Sequence, residues 1–263
     1  MPLPISVTVI TLNEERNLAR CLDSVQGIAD ETIVVDSGST DATRAIAERF
    51  NARFIENPWP GNVAQNALAF SKCTQPWVLS IDADEQLTEE LRKSILSRLP
   101  LCDQNVSGFN INRRTQYLGK WMWNIWYPEW RLRLVRRKQA RWVGPDPHGR
   151  MEVAGKTENL QGDLLHYTYK DLDDQYQKLI SYARSSAIAG FDQGRRMHPV
   201  KLLFSPWFRF LRDVLLKSGW RDGWRGIMIA YAGAFSSFLK QAYLYEIEQR
   251  ERDEQRKRES GDP

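Results

Sequence analysis

The chain has 263 residues, a hydrophobic fraction of 42% and a formal net charge of +4. That content can bury a sizeable core and argues against global disorder, and so small a charge does not by itself point to nucleic acid. Three cysteines, Cys21, Cys73 and Cys102, without CxxC spacing speak against a disulfide framework or zinc site and fit a reducing cytoplasm.

Met1-Pro2-Leu3-Pro4 leads straight into a strand-like run, so no signal peptide is expected. Ile5 to Thr11 is β-branched and alternating, a first strand. Asn13 is placed to cap a helix carrying Leu18, Leu22 and Val25. Thr32 to Asp36 is a second, buried strand, and Ser39 or Thr40 can cap a second helix. Arg53 to Glu56 is a third strand, Asn62 to Ser71 a third helix and Trp77 to Ile81 a fourth strand. This alternation predicts an α/β fold with a mostly parallel central sheet and helices on both faces. A helix from Thr88 to Leu99 follows, then two strands around Ser107–Asn112 and Arg131–Arg136, with an aromatic loop, Trp121 to Trp130, between them. From Leu172 the pattern is helical. The expected division is an α/β domain over 1–170, a helical region over 171–248, and a charged tail over 249–263, a helix fraying into disorder.

In open α/β sheets ligands bind beyond the carboxyl ends of the strands. Three polar segments fall at such ends: Thr11-Leu12-Asn13-Glu14-Glu15, Asp36-Ser37-Gly38-Ser39-Thr40-Asp41, and Asp82-Ala83-Asp84-Glu85. Asp82 and Asp84, one residue apart at a strand end, repel each other, and a hard divalent cation with oxygen ligands would relieve that repulsion. Asp36 can accept hydrogen bonds from a ribose or base, or cap a helix, or both. Thr11, Asn13, Glu14 and Ser39 are candidate nucleotide contacts, with capping as the alternative. Gln65 and Asn66 could reach a nucleotide or diphosphate, or serve helix packing. One of His148 and His166 could complete a metal shell, and His148 is the candidate taken forward.

Val9-Ile10-Thr11-Leu12-Asn13-Glu14-Glu15, Val34-Val35-Asp36-Ser37-Gly38-Ser39-Thr40-Asp41 and Ile81-Asp82-Ala83-Asp84 together resemble the signature of family 2 glycosyltransferases with the GT-A fold. The resemblance implies a nucleotide-sugar donor, usually a UDP-sugar, Mg²⁺ or Mn²⁺ on Asp82 and Asp84, and inversion at the anomeric carbon. Arg131 to Arg137, Leu165-His166-Tyr167-Thr168-Tyr169 and Asp222-Gly223-Trp224-Arg225-Gly226 are similar to a branch acting on the lipopolysaccharide inner core, where glucose or a related sugar is added to a heptose. That branch often has His-Glu where this chain has His148-Gly149, so a role carried by that Glu does not transfer.

A cation on Asp84, with Asp82 through water, would stabilise charge on the leaving phosphate, and Arg133 could clamp a phosphate. An inverting displacement needs a base for the acceptor hydroxyl. Glu129, in an aromatic loop where burial could raise its pKa, is the first candidate and Asp146 the second. The stripe Leu203, Trp207, Phe210, Leu211 and Val214, flanked by Lys201, Arg209, Arg212 and Lys217, suits a helix lying on an anionic membrane or one covering the core. The expected setting is the cytoplasm, peripheral at the inner membrane, with a lipid-linked or lipopolysaccharide-core acceptor and no nucleic acid. A transferase for another envelope glycan or lipid carrier is one alternative. A non-catalytic nucleotide- or nucleic-acid-binding protein is another, the latter using the arginine strand and tryptophans.

Overall fold

The computed structural model describes residues 4–144, 146 and 149–260. In chain order the elements are β1 (Ile5–Thr11), α1 (Leu18–Val25), β2 (Glu31–Asp36), α2 (Thr43–Arg49), β3 (Arg53–Glu56), α3 (Asn62–Ser71), β4 (Trp77–Asp82), β5 (Glu85–Leu87), α4 (Glu89–Arg98), β6 (Val106–Tyr117), β7 (Lys120–Trp121), β8 (Trp130–Arg136), β9 (Ala140–Val143), β10 (Arg150–Val153), β11 (Lys156–His166), α5 (Leu172–Asp192), α6 (Pro199–Leu211) and α7 (Trp224–Ser260). They form two compact units. The first holds the described residues up to Gln116 and Tyr127–Thr168; the second holds Tyr117–Trp126 and the described residues from Tyr169 onward.

The first unit is built on a sheet with strand order β3-β2-β1-β4-β8-β6-β11-β5. β3, β2, β1 and β4 are mutually parallel neighbours, with Thr11 opposite Asp36 and Ile10 opposite Asp82. β8 is antiparallel to both β4 and β6, and β11 is parallel to β6. β11 therefore runs in the same sense as β1, β2 and β4, and their carboxyl ends share one rim. Because side chains alternate across a strand, β2 and β4 feed two cores. Val34, Leu79 and Ile81 pack with α1 and α4 residues such as Leu22 and Ile95. Ile33, Val35 and Val78 pack with Ala69 and Cys73 on the α3 side. This is the GT-A-like mixed sheet with helices on both faces that the motifs implied.

Two expected caps differ. Asn13 adopts a left-handed backbone (φ 54°) and does not cap α1, whose N-cap is Asn17. At α2 neither Ser39 nor Thr40 is the N-cap: that position is Ala42, and Asp41 Oδ1, one residue earlier, accepts from the Thr43 N–H at 2.9 Å. Both loops have a tertiary use for those side chains, and that use wins over local capping.

In the second unit α7 packs on α5 and on α6. Its small core gathers Tyr117, Met122, Ile125, Ile229 and Ala230, with Phe210 and Val214 packed against it. The sequence stripe on α6 is thus split: Phe210 and Val214 face inward while Leu203, Trp207 and Leu211 are exposed. The chain leaves α6 through a π-helical turn, Arg212–Leu216, which moves the face by an extra residue. The part of the aromatic loop up to Trp126 belongs to this unit rather than to the α/β unit. The charged segment from residue 249 continues α7 as helix through Ser260, where the sequence pattern suggested fraying into disorder. An ion pair between Arg250 and Glu246 lies one turn apart on it.

Candidate active site

The first two motif loops are laced together at the carboxyl ends of β1 and β2. Asp36 is almost fully buried, and its Oδ1 accepts from Thr11 Oγ1 at 2.7 Å and Ser39 Oγ at 2.6 Å. Its Oδ2 accepts from the Gly38 and Ser39 N–H groups at 2.9 and 2.7 Å. Burial pushes the Asp36 carboxyl up, but these bonds from Ser39, Thr11 and Gly38 outweigh it and hold it below the usual carboxylate range. The Asn13 N–H donates to Ser39 Oγ at 2.7 Å, and Asn13 Oδ1 accepts from the Thr40 N–H at 2.9 Å. The Glu14 N–H donates to Thr43 Oγ1 at 2.8 Å. Thr11, Asn13, Glu14, Asp36 and Ser39 are therefore one assembled rim. Asp36 is the post that ties the loops, with both its oxygens engaged inside the protein.

The acidic motif is the next part of that rim. Asp82 closes β4, and Arg133 on the neighbouring β8 donates through Nη2 to Asp82 Oδ2 and to Glu85 Oε1, both at 2.7 Å. The Asp82 N–H donates to Glu85 Oε2 at 2.8 Å, and Arg113 Nη1 lies 3.5 Å from Glu85 Oε1. Burial would raise Asp82, yet Arg133, Arg113 and His166 bring it down to about 2. Glu85, with no exposed side-chain surface, is instead pushed up by burial and by Asp82 against the pull of Arg133. Burial also opposes the Arg133 charge, but Asp82 and Glu85 prevail and push its pKa up. Arg133 is thus a brace for the acidic turn. Its Nη2 is committed to two carboxylates, while its buried Nε has no hydrogen-bond partner among the described residues.

Asp84 has a different partner. His166 ends β11 on the same rim, and its Nε2 lies 3.4 Å from Asp84 Oδ2, while its Nδ1 contacts Thr115 Oγ1 at 3.1 Å. Among the described residues no group of three or more His, Cys, Asp or Glu side chains could hold a metal ion. The Asp84–His166 pair offers one carboxylate and one imidazole, a donor set that suits a divalent ion completing its shell with phosphate oxygens and water. His148, the histidine taken forward from the sequence, lies outside the described residues.

Glu129 and Asp146 do not sit as the sequence suggested. Glu129 is gripped bidentately by Arg113, Nε to Oε2 at 2.8 Å and Nη2 to Oε1 at 3.0 Å, and also by Arg131. Burial raises it, but the two arginines dominate and hold it down at about 2. The expected burial-raised base is corrected: this carboxylate is a firmly ionised anchor and a weak proton acceptor. Asp146 Oδ1 accepts from the Val63 N–H at 2.8 Å, so it caps α3 from a distant loop. Gln65 is fully buried, donating to Ser37 Oγ at 3.0 Å and accepting from Asn57 Nδ2 at 2.7 Å. Asn66 donates to the Asn62 carbonyl at 3.0 Å. Both make the packing hydrogen bonds that the sequence offered as one of their two roles.

Sequence reasoning passed over Arg113 and Glu85 and ranked His166 below His148. A signal existed for one of them: Glu85 directly follows the acidic pair Asp82 and Asp84. Arg113 meets Glu85 and His166 meets Asp84 across 28 and 82 residues of chain, which no local pattern reveals.

The family described as Glycosyl transferase family 2 matches residues 6–154, more than half of the chain. The chain is 34% identical to the lipopolysaccharide core biosynthesis glycosyltransferase LpsC of Rhizobium meliloti, over 93% of each chain. It is 31% identical to an uncharacterized glycosyltransferase, RT0209, of Rickettsia typhi, over 95% of this chain and 89% of that one. Among solved structures it resembles the glucosyl-3-phosphoglycerate synthase of Mycobacterium tuberculosis with Mn²⁺, UDP and glucosyl-3-phosphoglycerate, at 21% identity and a TM-score of 0.43, over 64% of this chain and 73% of that chain. Matched from its first strand through the rim-forming loops, this protein belongs to glycosyl transferase family 2.

Proposed function

We propose that the protein transfers a hexose, glucose in the specific reading, from a UDP-linked donor to a heptose of the lipopolysaccharide core, with inversion at the anomeric carbon. The reaction is placed at the cytoplasmic face of the inner membrane, where a lipid-linked acceptor is presented. Similarity to LpsC along nearly the whole length of both chains supports the core-glycan reading. The observation that carries the chemistry is the Asp84–His166 pair standing on the same rim as the Asp82–Arg133–Glu85 network and the loops tied by Asp36.

Asp84 and His166 would hold a Mg²⁺ or Mn²⁺ ion. Such an ion, when bound, offsets the negative charge that builds on the departing diphosphate. The chain's own residues do the rest. Asp36 fixes the Gly38–Ser39 loop, so that its backbone and the Asn13 turn present a preformed edge to a nucleoside. Arg133 keeps Asp82 ionised beside Glu85 and stops the acidic turn from springing apart. Glu129 fixes the guanidinium planes of Arg113 and Arg131.

The test is a panel of nucleotide sugars scored for transfer to core oligosaccharide and for thermal stabilisation, with Mg²⁺ and Mn²⁺ compared against chelator. A UDP-hexose should be turned over only with metal. His166→Ala should lose the stabilisation that metal adds on top of UDP while keeping the fold. Absence of any nucleotide-sugar turnover or UDP stabilisation would discard the proposal.

A further inference from the structure

The second unit carries an apolar surface that its own core does not use. No residue of α6 is buried. Val200, Leu203, Phe204, Trp207, Phe208 and Leu211 recur at i, i+3, i+4, i+7, i+8 and i+11, one continuous face, and all are exposed, Trp207 at 68%. Leu215 and Leu216 extend it past the π-helical turn, also exposed. The opposite side of the same helix is the packed one. There Phe210 meets the Tyr231 ring at 4.5 Å, and the Arg209–Asp213 pair sits where α7 has Gly233, whose missing side chain leaves room for it. An exposed apolar face of this size marks a docking surface.

We infer that this face lies flat in the headgroup region of an anionic bilayer. The charge pattern selects that occupant. From Gln193 through Arg212 there is no carboxylate, against five basic residues, Arg195, Arg196, Lys201, Arg209 and Arg212. The next acid, Asp213, is buried and neutralised by Arg209 and Arg212, so it presents no charge to the surface. Exposed Lys201 borders the apolar strip directly. Large aromatics and leucines beside Arg195, Arg196 and Lys201, the basic residues of this segment that Asp213 does not pair, fit lipid acyl chains and anionic headgroups together. Among the described residues no helix is long and apolar enough to cross a membrane, so the contact is in-plane. This surface belongs to the second unit and the rim to the first, and its test does not depend on the donor reading.

The experiment is co-sedimentation of the full chain with phosphatidylglycerol-containing vesicles and with pure phosphatidylcholine vesicles, alongside light scattering for oligomeric state. Wild type should bind the anionic vesicles and release as salt rises. Trp207→Ser with Phe208→Ser should bind about tenfold more weakly or worse. Lys201→Glu should bind about fivefold more weakly on anionic vesicles alone. All three proteins should give the same circular dichroism spectrum and thermal unfolding midpoint, which shows that the fold survives. Failure of wild type to bind vesicles, or equal binding by the aromatic variant, overturns the inference. So does a wild-type dimer that the aromatic variant converts to monomer, because the occupant is then a second copy.

Discussion

Replacing Arg133 by Met tests the network at the acidic turn. The change removes the guanidinium that holds both Asp82 and Glu85, leaving Glu85, with 0% side-chain exposure, the Asp82 N–H at 2.8 Å and the Arg113 charge at 3.5 Å. Breaking a buried ion pair from one side costs about 3–5 kcal/mol, and the surviving Arg113 contact puts the expectation near the lower end, roughly a hundredfold in the folding equilibrium. The pH dependence has a definite sign. Glu85 already titrates above its ordinary value through burial and Asp82, and losing Arg133 raises it further. A carboxyl whose folded pKa is raised destabilises the fold above that pKa, and the penalty fades as pH falls through it. Asp82 works the other way: at about 2 in the folded protein against 3.8 ordinarily, it stabilises above its ordinary pKa and loses that as pH falls toward about 2. The variant forfeits this contribution. Urea unfolding of both proteins at about pH 8 and about pH 5.5 should therefore show a large gap that narrows in acid, and Glu85→Gln added to the variant should recover part of it at about pH 8. A gap below about 1 kcal/mol at the higher pH, or one that does not narrow, would refute the claim that Arg133 neutralises a buried carboxylate.

Asp36→Asn should weaken UDP binding by about tenfold or more, read by calorimetry, because an amide cannot accept from both the Gly38–Ser39 N–H groups and the Thr11 and Ser39 hydroxyls. Its stability loss should be full above the ordinary pKa of 3.8 and vanish in stronger acid, where wild-type Asp36 takes up a proton too. Gly61→Ala should destabilise the start of α3 by about 1–2 kcal/mol in thermal unfolding, since Gly61 has φ +111° and an added Cβ would lie 2.0 Å from Asp146 Oδ2. Asp146→Ala in that background should then cost little more, because the cap on Val63 has already been displaced.

The sequence by itself determined the α/β frame and the location of the rim. β1, β3 and α3 have the bounds that the residue pattern assigned, because β-branched alternation and helical spacing are local properties of the chain. Parallel strands then force Thr11, Asp36 and Asp82 to one edge, as the registers bear out. The roles at that edge were decided only by tertiary contact. A carboxylate such as Glu129 reads as a base in an aromatic loop until Arg113, 16 residues away on the adjacent strand, clamps it and pulls its pKa down. Arg133 meets Asp82 and Glu85 from the neighbouring strand, and Asp146 accepts from the Val63 N–H of α3, contacts that no local pattern shows. His166 reaches Asp84 because β11 returns to the sheet beside β6 with its carboxyl end at the same rim. Charge, burial and hydrogen-bond partners depend on neighbours brought in from far along the chain, and that is information which no window of sequence contains.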